Sequence, residues 1–370
     1  MPRRSLIPTL TTHGGTAVRT VEEVMEKLLY RHKHRETRIA ARVMDFGIRW
    51  MDQSSSHTES GYYAKIDGQD MLLSANALRT ANRLIESKPS HWDQYPDRDA
   101  FSKSLVHILD NKTNDGYMLR HNGLQVNAIL PGDYQVKDAC ELLVELIEPL
   151  EKAVGKINGI SVIDQGDGDI TSLRVIIGEN IIPSLRDELG QYMMFLLNTS
   201  ETGAIPTRSV LGLFRTICTN SAIRDATKIK EWNHRSEWDR FWEGTMDTLR
   251  QFGYFSTQFG EIFTGMLQAK LGVPAADILV VLHEQHQITN GHFIESQSWV
   301  DQPTEDGHPV ETQYDLFNVL TKAAQGLQSI AAQHKAEQAA LDIFTDAGGL
   351  IASLRTAYER QERSRNRRRV

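Results

Sequence analysis

Residues 116–154, GYMLRHNGLQVNAILPGDYQVKDACELLVELIEPLEKAV, decide the fold class. Residues 116–121 and 124–130 flank Asn122-Gly123, and an Asn-Gly pair supplies the left-handed residues of a tight hairpin. Pro131-Gly132 closes the second strand. Over 137–154 the period changes. Ala139, Leu142, Leu143, Leu146, Ile147 and Leu150 fall on one helical face, with Cys140 on the same stripe. Pro149 is expected to kink that helix or end it early. A hairpin followed directly by an amphipathic helix predicts an α+β fold built on antiparallel sheet.

Working outward, Thr20 with Glu23 makes a capping-box start for an upstream helix. Strands are expected within 37–51 and at 62–66, the latter ending at an Asp67-Gly68 turn. Ser74 caps a helix to Ile85, with Ala75, Leu78, Ala81 and Leu84 on one face. Downstream, strand-like runs occupy 159–164, 170–178, 189–198 and 208–218. Beyond Ser236 the texture is helical, with Trp238, Phe241, Trp242, Leu249 and Phe252 recurring at helical spacing. Further helices are expected near 275–287, 313–325, 328–345 and 350–362. The chain therefore divides into a loose arm (1–18), an α+β body (19–235), a helical C-terminal part (236–362) and a basic tail (363–370).

Of the 370 residues, 40% are apolar and 24% charged, enough to bury a sizeable core. A net charge of −7 argues against indiscriminate coating of nucleic acid, although a local basic groove remains compatible with it. Cys140 and Cys218 are the only cysteines, so no disulfide framework is expected. The first residues, MPRRSLIPTLTTHGG, carry no apolar leader, and the apolar run at 278–282 stops at His283. A membrane helix needs about 20 such residues. The expectation is a cytoplasmic protein with no membrane partner.

Polar residues concentrate in 195–235, FLLNTSETGAIPTRSVLGLFRTICTNSAIRDATKIKEWNHR. Asn198, Ser200, Glu201, Gly203, Arg215, Asn220 and His234 form a polar signature around two apolar runs. One reading gathers Arg215, Asn220 and His234 about Glu201, with Gly203 letting backbone approach a ligand. The other makes them structural: side chains satisfying a strand end, and a buried Glu–Arg pair fixing the sheet. Cys218, in an apolar run, reads as a buried inert thiol.

This segment resembles a family of phage- and plasmid-encoded proteins, domain of unknown function 932. Its signature runs Asn-Ser-Glu-x-Gly, then Arg, then Cys-x-Asn-Gly, then His. The resemblance extends to Leu119-Arg120, Gln125–Leu130, Asp133-Tyr134, Leu142-Leu143 and the run Tyr314–Thr321, spanning roughly residues 60 to 340. Ser221 departs from the family glycine, so either that turn is strained or it differs. A hairpin backed by a helix is also similar, at the level of fold, to single-strand annealing proteins of phage recombination. These resemblances imply a protein that binds single-stranded DNA, with annealing as a further step, and works as a homo-oligomer. The alternative is a non-enzymatic structural or interaction protein of a mobile element. An enzyme sited near Glu201 and His234 is the third class.

For DNA, the resemblance points to Arg120, Lys228, Lys230 and Arg235 as phosphate contacts, together with Arg367, Arg368 and Arg369 of the tail. Lys112, His121 and Lys137 add charge, and Tyr117, Tyr134 and Trp232 are interleaved for base stacking. The plain alternative is that the charges are ordinary surface groups and the aromatics are core. No metal is expected, because His283 and His286 are three apart rather than four and the EF-hand order is not met around Asp164, Asp167 and Asp169. No phosphate loop or dinucleotide fingerprint occurs, so no cofactor is expected.

Overall fold

The computed structural model describes residues 18–40, 42, 45–53, 59–85, 97–111, 116–155, 157–165, 169–179, 181–182, 191–215, 220–223, 230–235, 237–303, 308–345, 356 and 358. In chain order the first elements are β1 (Val18–Arg19), α1 (Val21–Lys33), β2 (Glu36–Ala40) and β3 (Ile48–Met51). Next come β4 (Gly61–Ile66), β5 (Gln69–Leu73), α2 (Ala75–Leu84) and α3 (Arg98–Asp110). The hairpin β6 (Tyr117–His121) and β7 (Gln125–Pro131) leads to α4 (Ala139–Val154). β8 (Ile157–Gln165), β9 (Ile170–Ile177), β10 (Gln191–Thr199) and β11 (Thr207–Arg215) are followed by β12 (Asn220–Ile223) and β13 (Lys230–Trp232). The helical part comprises α5 (Trp238–Arg250), α6 (Phe252–Gln268), α7 (Ala275–Glu284), α8 (Asn290–Val300), α9 (Gln313–Gln325) and α10 (Ile330–Thr345). The class is α+β, as expected.

The strands form two sheets rather than one. A six-stranded sheet runs β2-β6-β7-β5-β4-β3 and a seven-stranded sheet runs β1-β8-β9-β10-β11-β12, with β13 also on β11. All described pairings are antiparallel except β5 with β7. That parallel pair requires the crossover through α2 and α3. The smaller sheet is strongly curved: Arg38 on its edge strand β2 lies 3.5 Å from Asp67 in the β4–β5 turn, although three strands intervene between β2 and β4.

Local chemistry accounts for the turns. Asp67 and Gly68 both have positive φ (49° and 87°), as a two-residue hairpin turn demands. At the other hairpin Gly123 is left-handed, and the Asn122 side chain accepts from Leu124 N (3.1 Å) and Gln125 N (3.0 Å). Thr20 and Glu23 form the anticipated reciprocal cap on α1. Ser221 lies within β12, opposite Phe214. The position expected to lie in a turn is therefore strand here.

Each sheet has its own core. Ala77 and Ala81 of α2 and Phe101, Leu105 and Leu109 of α3 pack on the smaller sheet with Ile48, Ala64, Leu119 and Ile129. On the larger sheet, Leu173, Val175, Met193, Phe195, Leu211 and Leu213 pack against α1, α4 and the C-terminal helices in one continuous cluster. Every residue of β10 is buried, so this sheet is covered on both faces. The helical part thus shares a core with the larger sheet instead of standing apart from it.

Helices α3 and α8 have no counterpart among the helices expected from the sequence. Of the two outcomes expected at Pro149, an early end does not occur: the helix α4 continues through Pro149 to Val154 and ends at left-handed Gly155. Burial of Leu146 and Leu150 on either side of Pro149 holds the helix together across the missing N–H. The helix expected at 350–362 lies outside the described residues, apart from Thr356 and Tyr358.

Because an interior proline costs a helix about 3 kcal/mol relative to alanine, Pro149→Ala should raise stability by about 1–3 kcal/mol. Urea denaturation measures it. A lower midpoint would mean that the geometry imposed by Pro149 is itself required.

Candidate functional site

Glu201 sits in the turn after β10 and is only 2% exposed. Its carboxylate accepts from Arg31 Nε (3.1 Å) and Arg31 Nη2 (2.5 Å), and on the other oxygen from Arg35 Nη1 (3.0 Å). Ala139 N, in the first turn of α4, donates to it at 3.2 Å. A helix N-terminus favours negative charge there. Arg31 reaches further, with Nη1 on Asp164 of β8 (2.7 Å) and Nη2 on Thr171 of β9 (3.0 Å).

A second ion pair lies beside the first. Arg120 of β6 donates to Asp138 (2.6 Å) and to Thr37 of β2 (2.9 Å). The His32 ring donates through Nδ1 to the other Asp138 oxygen at 2.7 Å. Three arginines thus face three carboxylates, and the exposed Lys27 ammonium also lies 3.5 Å from Asp164. Burial, reinforced by the charge of Asp138, raises the Glu201 carboxyl above the ordinary carboxylate range against the pull of the two arginines. It is nevertheless the ionised form that fits this geometry, because four N–H donors point at the two oxygens and a protonated oxygen would meet a donor. Arg31 stays charged: burial works against it, and Glu201 and Asp164 more than compensate.

The same turn is clasped from the smaller sheet's side. Asn76 of α2 donates to Asn127 O (3.1 Å), Thr202 O (3.2 Å) and Thr202 Oγ1 (3.0 Å), and Thr202 Oγ1 donates to Asp169 (2.8 Å). Ser200 Oγ accepts from Thr202 N (3.2 Å) and Ala204 N (2.8 Å), closing the turn on itself. Gly203 is left-handed (φ 69°), and a Cβ there would stand 2.6 Å from Leu130 Cδ2. What its backbone approaches closely is the hairpin, through Leu130.

His234 forms a third knot. Gln135 O can only accept, so Nδ1 carries the proton and donates to it (3.0 Å). Nε2 then accepts from Thr207 Oγ1 (3.0 Å), which accepts in turn from Thr199 Oγ1 (2.8 Å). The ring lies between Tyr134 and Trp232, at centroid distances of 4.8 and 4.0 Å. Burial lowers the His234 pKa to about 4.

The polar signature therefore does not gather at one point. Ser200, Glu201, Gly203 and His234 belong to the joint between the sheets. Asn198 points to the opposite face of the larger sheet, where it meets His334 of α10 (3.2 Å) close to a buried Arg174–Glu337 pair (3.1 Å). Arg215 pairs in register with Gln191 and Asn220, at the far end of β10 from Glu201. The expected Glu–Arg pair exists, but Arg31 and Arg35 supply it. These two, with Asp138, Asp164 and Asn76, are what the sequence reading missed. One signal pointed to Arg31: it continues the buried stripe Val24, Leu28, Arg31 of α1, and an arginine on an apolar stripe implies a buried counter-charge.

The nucleic-acid residues fare differently. Arg120 is 4% exposed and held by Asp138 and Thr37, so its guanidinium faces the interior rather than a phosphate. Arg235 is exposed but clamped by Asp133 (2.9 Å). Lys230 is described only as a backbone position in β13, and Lys228, Arg367, Arg368 and Arg369 lie outside the described residues, as do Lys112 and Cys218. Tyr117, Tyr134 and Trp232 are core side chains. His283 stacks on Phe293 (4.6 Å), and among the described residues no group of three histidines, cysteines or carboxylates could hold a metal ion. Cys140 is buried and its thiol is pushed up to about 11, chiefly by burial. Among the described residues no helix is long and apolar enough to cross a membrane. No protein-family model, curated protein or solved structure matches the chain.

Two outcomes follow from this geometry. Glu201→Gln removes the carboxylate charge that faces Arg35 and one of the two carboxylates on Arg31, and stability should fall by about 3–5 kcal/mol in denaturant titration. A neutral or stabilising effect would remove the carboxylate from its structural role. The second outcome concerns pH. The His234 pKa lies at about 4 in the folded chain against an ordinary 6.5, and burial together with the charge of Arg174 takes His334 to about 3. The unfolded chain therefore binds more protons below pH 6.5. Stability should be full above that pH and fall as pH drops towards 4, by the order of 3 kcal/mol for His234 alone. His234→Asn, which tolerates the left-handed backbone and retains a donor, should flatten the slope. A slope unchanged by that substitution would exclude His234 as its source.

Proposed function

We propose that this chain is a non-enzymatic structural or interaction protein of the kind mobile elements carry, in which Glu201, His234 and their partners hold two sheets together. The observation that carries this reading is the state of Glu201. Its two oxygens take four donors from within the chain, and the neighbouring Asp138 and Asp164 are likewise engaged. A catalytic carboxylate needs an oxygen available to substrate, and these are directed at guanidinium groups and a helix end. His234, the other candidate acid–base group, uses both ring nitrogens internally.

Surfaces suited to partners occur around the smaller sheet. Leu124 at the hairpin tip is 82% exposed, and Ile39 on the open edge strand β2 and Tyr30 on α1 are each 67% exposed. Exposed apolar side chains beside a strand edge that is unpaired among the described residues favour association with another chain, including a second copy. The resemblance to the phage and plasmid family supplies the genomic setting of the proposal.

Single-stranded DNA binding is the second reading. It is supported by that resemblance and by the run of arginines between Arg355 and Arg369, a concentration of positive charge suited to phosphates. Titration of the full chain with labelled oligo-dT at about 50 and 200 mM salt separates the two. The interaction-protein reading expects nothing tighter than the non-specific range of roughly 10⁻⁴–10⁻⁶ M, and no change when the chain is ended at Arg360. Tight, salt-steep binding that weakens on this truncation would overturn it in favour of DNA.

A further inference from the structure

Arg79 and Arg83 stand one turn apart on α2, both exposed to solvent, and among the described residues neither makes an ion pair. Like charges at this spacing repel and weaken a helix. The arrangement differs from the cluster around Glu201, where every arginine has its carboxylate. Burial, then the charge of Arg79, holds the Arg83 guanidinium below the ordinary arginine value, and no carboxylate acts on it.

Both side chains are oriented by neutral acceptors. Arg83 Nη1 donates to Gly203 O (2.8 Å) and Nη2 to Ala204 O (3.0 Å), leaving Nε. Arg79 Nη1 donates to Asn76 Oδ1 (3.1 Å), leaving Nε and Nη2. Tyr134 lies against the same turn, its hydroxyl 3.5 Å from where a Cβ on Gly203 would stand. That side chain is 9% exposed, and among the described residues its hydroxyl has no hydrogen-bond partner. Burial raises the phenol pKa, so the O–H remains a donor at neutral pH. Two positive charges, several free N–H groups and one O–H without a described partner therefore lie about a turn whose Gly203 and Ala204 carbonyls accept from Arg83.

We propose that Arg79, Arg83 and the Tyr134 hydroxyl form a binding site for a phosphate-type oxyanion. Such a ligand accepts from all three groups, and its charge relieves the repulsion between the guanidinium forks. The site stands apart from the structural role of Glu201 and goes beyond it. Its ligand is either free phosphate or the phosphodiester of a nucleic-acid strand, which share this chemistry.

Calorimetric titration of the full chain with inorganic phosphate, and separately with oligo-dT, tests the site. Saturable phosphate binding is expected, weakened roughly tenfold or more by Arg79→Gln and also reduced by Tyr134→Phe. Both variants should keep the wild-type circular dichroism. Arg83→Gln also removes the bonds to the turn carbonyls, so Arg79→Gln and Tyr134→Phe are the decisive variants. Competition of oligo-dT for phosphate identifies a strand backbone as the ligand, and absence of competition identifies free phosphate. The site is overturned if phosphate shows no saturable binding, if Arg79→Gln binds as the wild type does, or if the remote Lys103→Gln weakens binding equally.

Discussion

A carboxylate that cannot remain buried unless several distant segments arrive together sets the architecture of this chain. The donors to Glu201 come from α1, from the residue that links α1 to β2, and from the start of α4. Arg31 extends the set into β8 and β9. Adjacent to it, Arg120 brings in the hairpin of the smaller sheet through Asp138. Removing a charged member of this set leaves the remaining buried charges unevenly matched in a low-dielectric interior, at a cost of several kcal/mol. The two sheets are therefore coupled by electrostatics as well as by apolar contact. A well-packed apolar joint could have been equally stable, but it would fix the relative register of the two sheets less strictly.

Where information is local, the sequence carried it. The cap at Thr20, the hairpins at Asp67-Gly68 and Asn122-Gly123 and the stripe of α4 each depend on residues within one or two turns. The four long strands of the larger sheet were legible for the same reason, through sustained apolar runs. The helix α3 was not, because Phe101, Leu105 and Leu109 give only a narrow stripe within a charged stretch. The site was less legible still. Glu201 pairs with Arg31 across 170 residues of chain, and no spacing rule reaches that far. Arg215, the arginine near it in sequence, is carried to the opposite end of the sheet because β10 and β11 run antiparallel.

The same distinction explains why a list of cations and aromatics misjudged the surface. Arg120 alternates with core residues along β6, and every position of that strand is buried because both of its faces are covered. Period-two alternation then says which face a side chain takes, but not which face meets water. Tyr134 and Trp232 look available in sequence because charged residues flank them. In the fold they enclose a neutral histidine whose hydrogen bonds tie Gln135 to Thr207, and their rings have no face left for a base.

The turn at 200–204 joins the inward and outward chemistry of the molecule. Its side chains point inward, Ser200 to the turn's own N–H groups and Glu201 to the arginines, while its carbonyls at Gly203 and Ala204 face Arg83. Left-handed Gly203 allows that division, since an L-residue there would meet both an unfavourable backbone region and Leu130. Arg83 is thereby fixed in place without being neutralised. Carbonyl dipoles orient a guanidinium but carry no net charge to offset it, in contrast to the Glu201 carboxylate that neutralises Arg31 and Arg35 from the same turn. The position of the unmatched charge on the surface thus depends on the buried pair that fixes the turn.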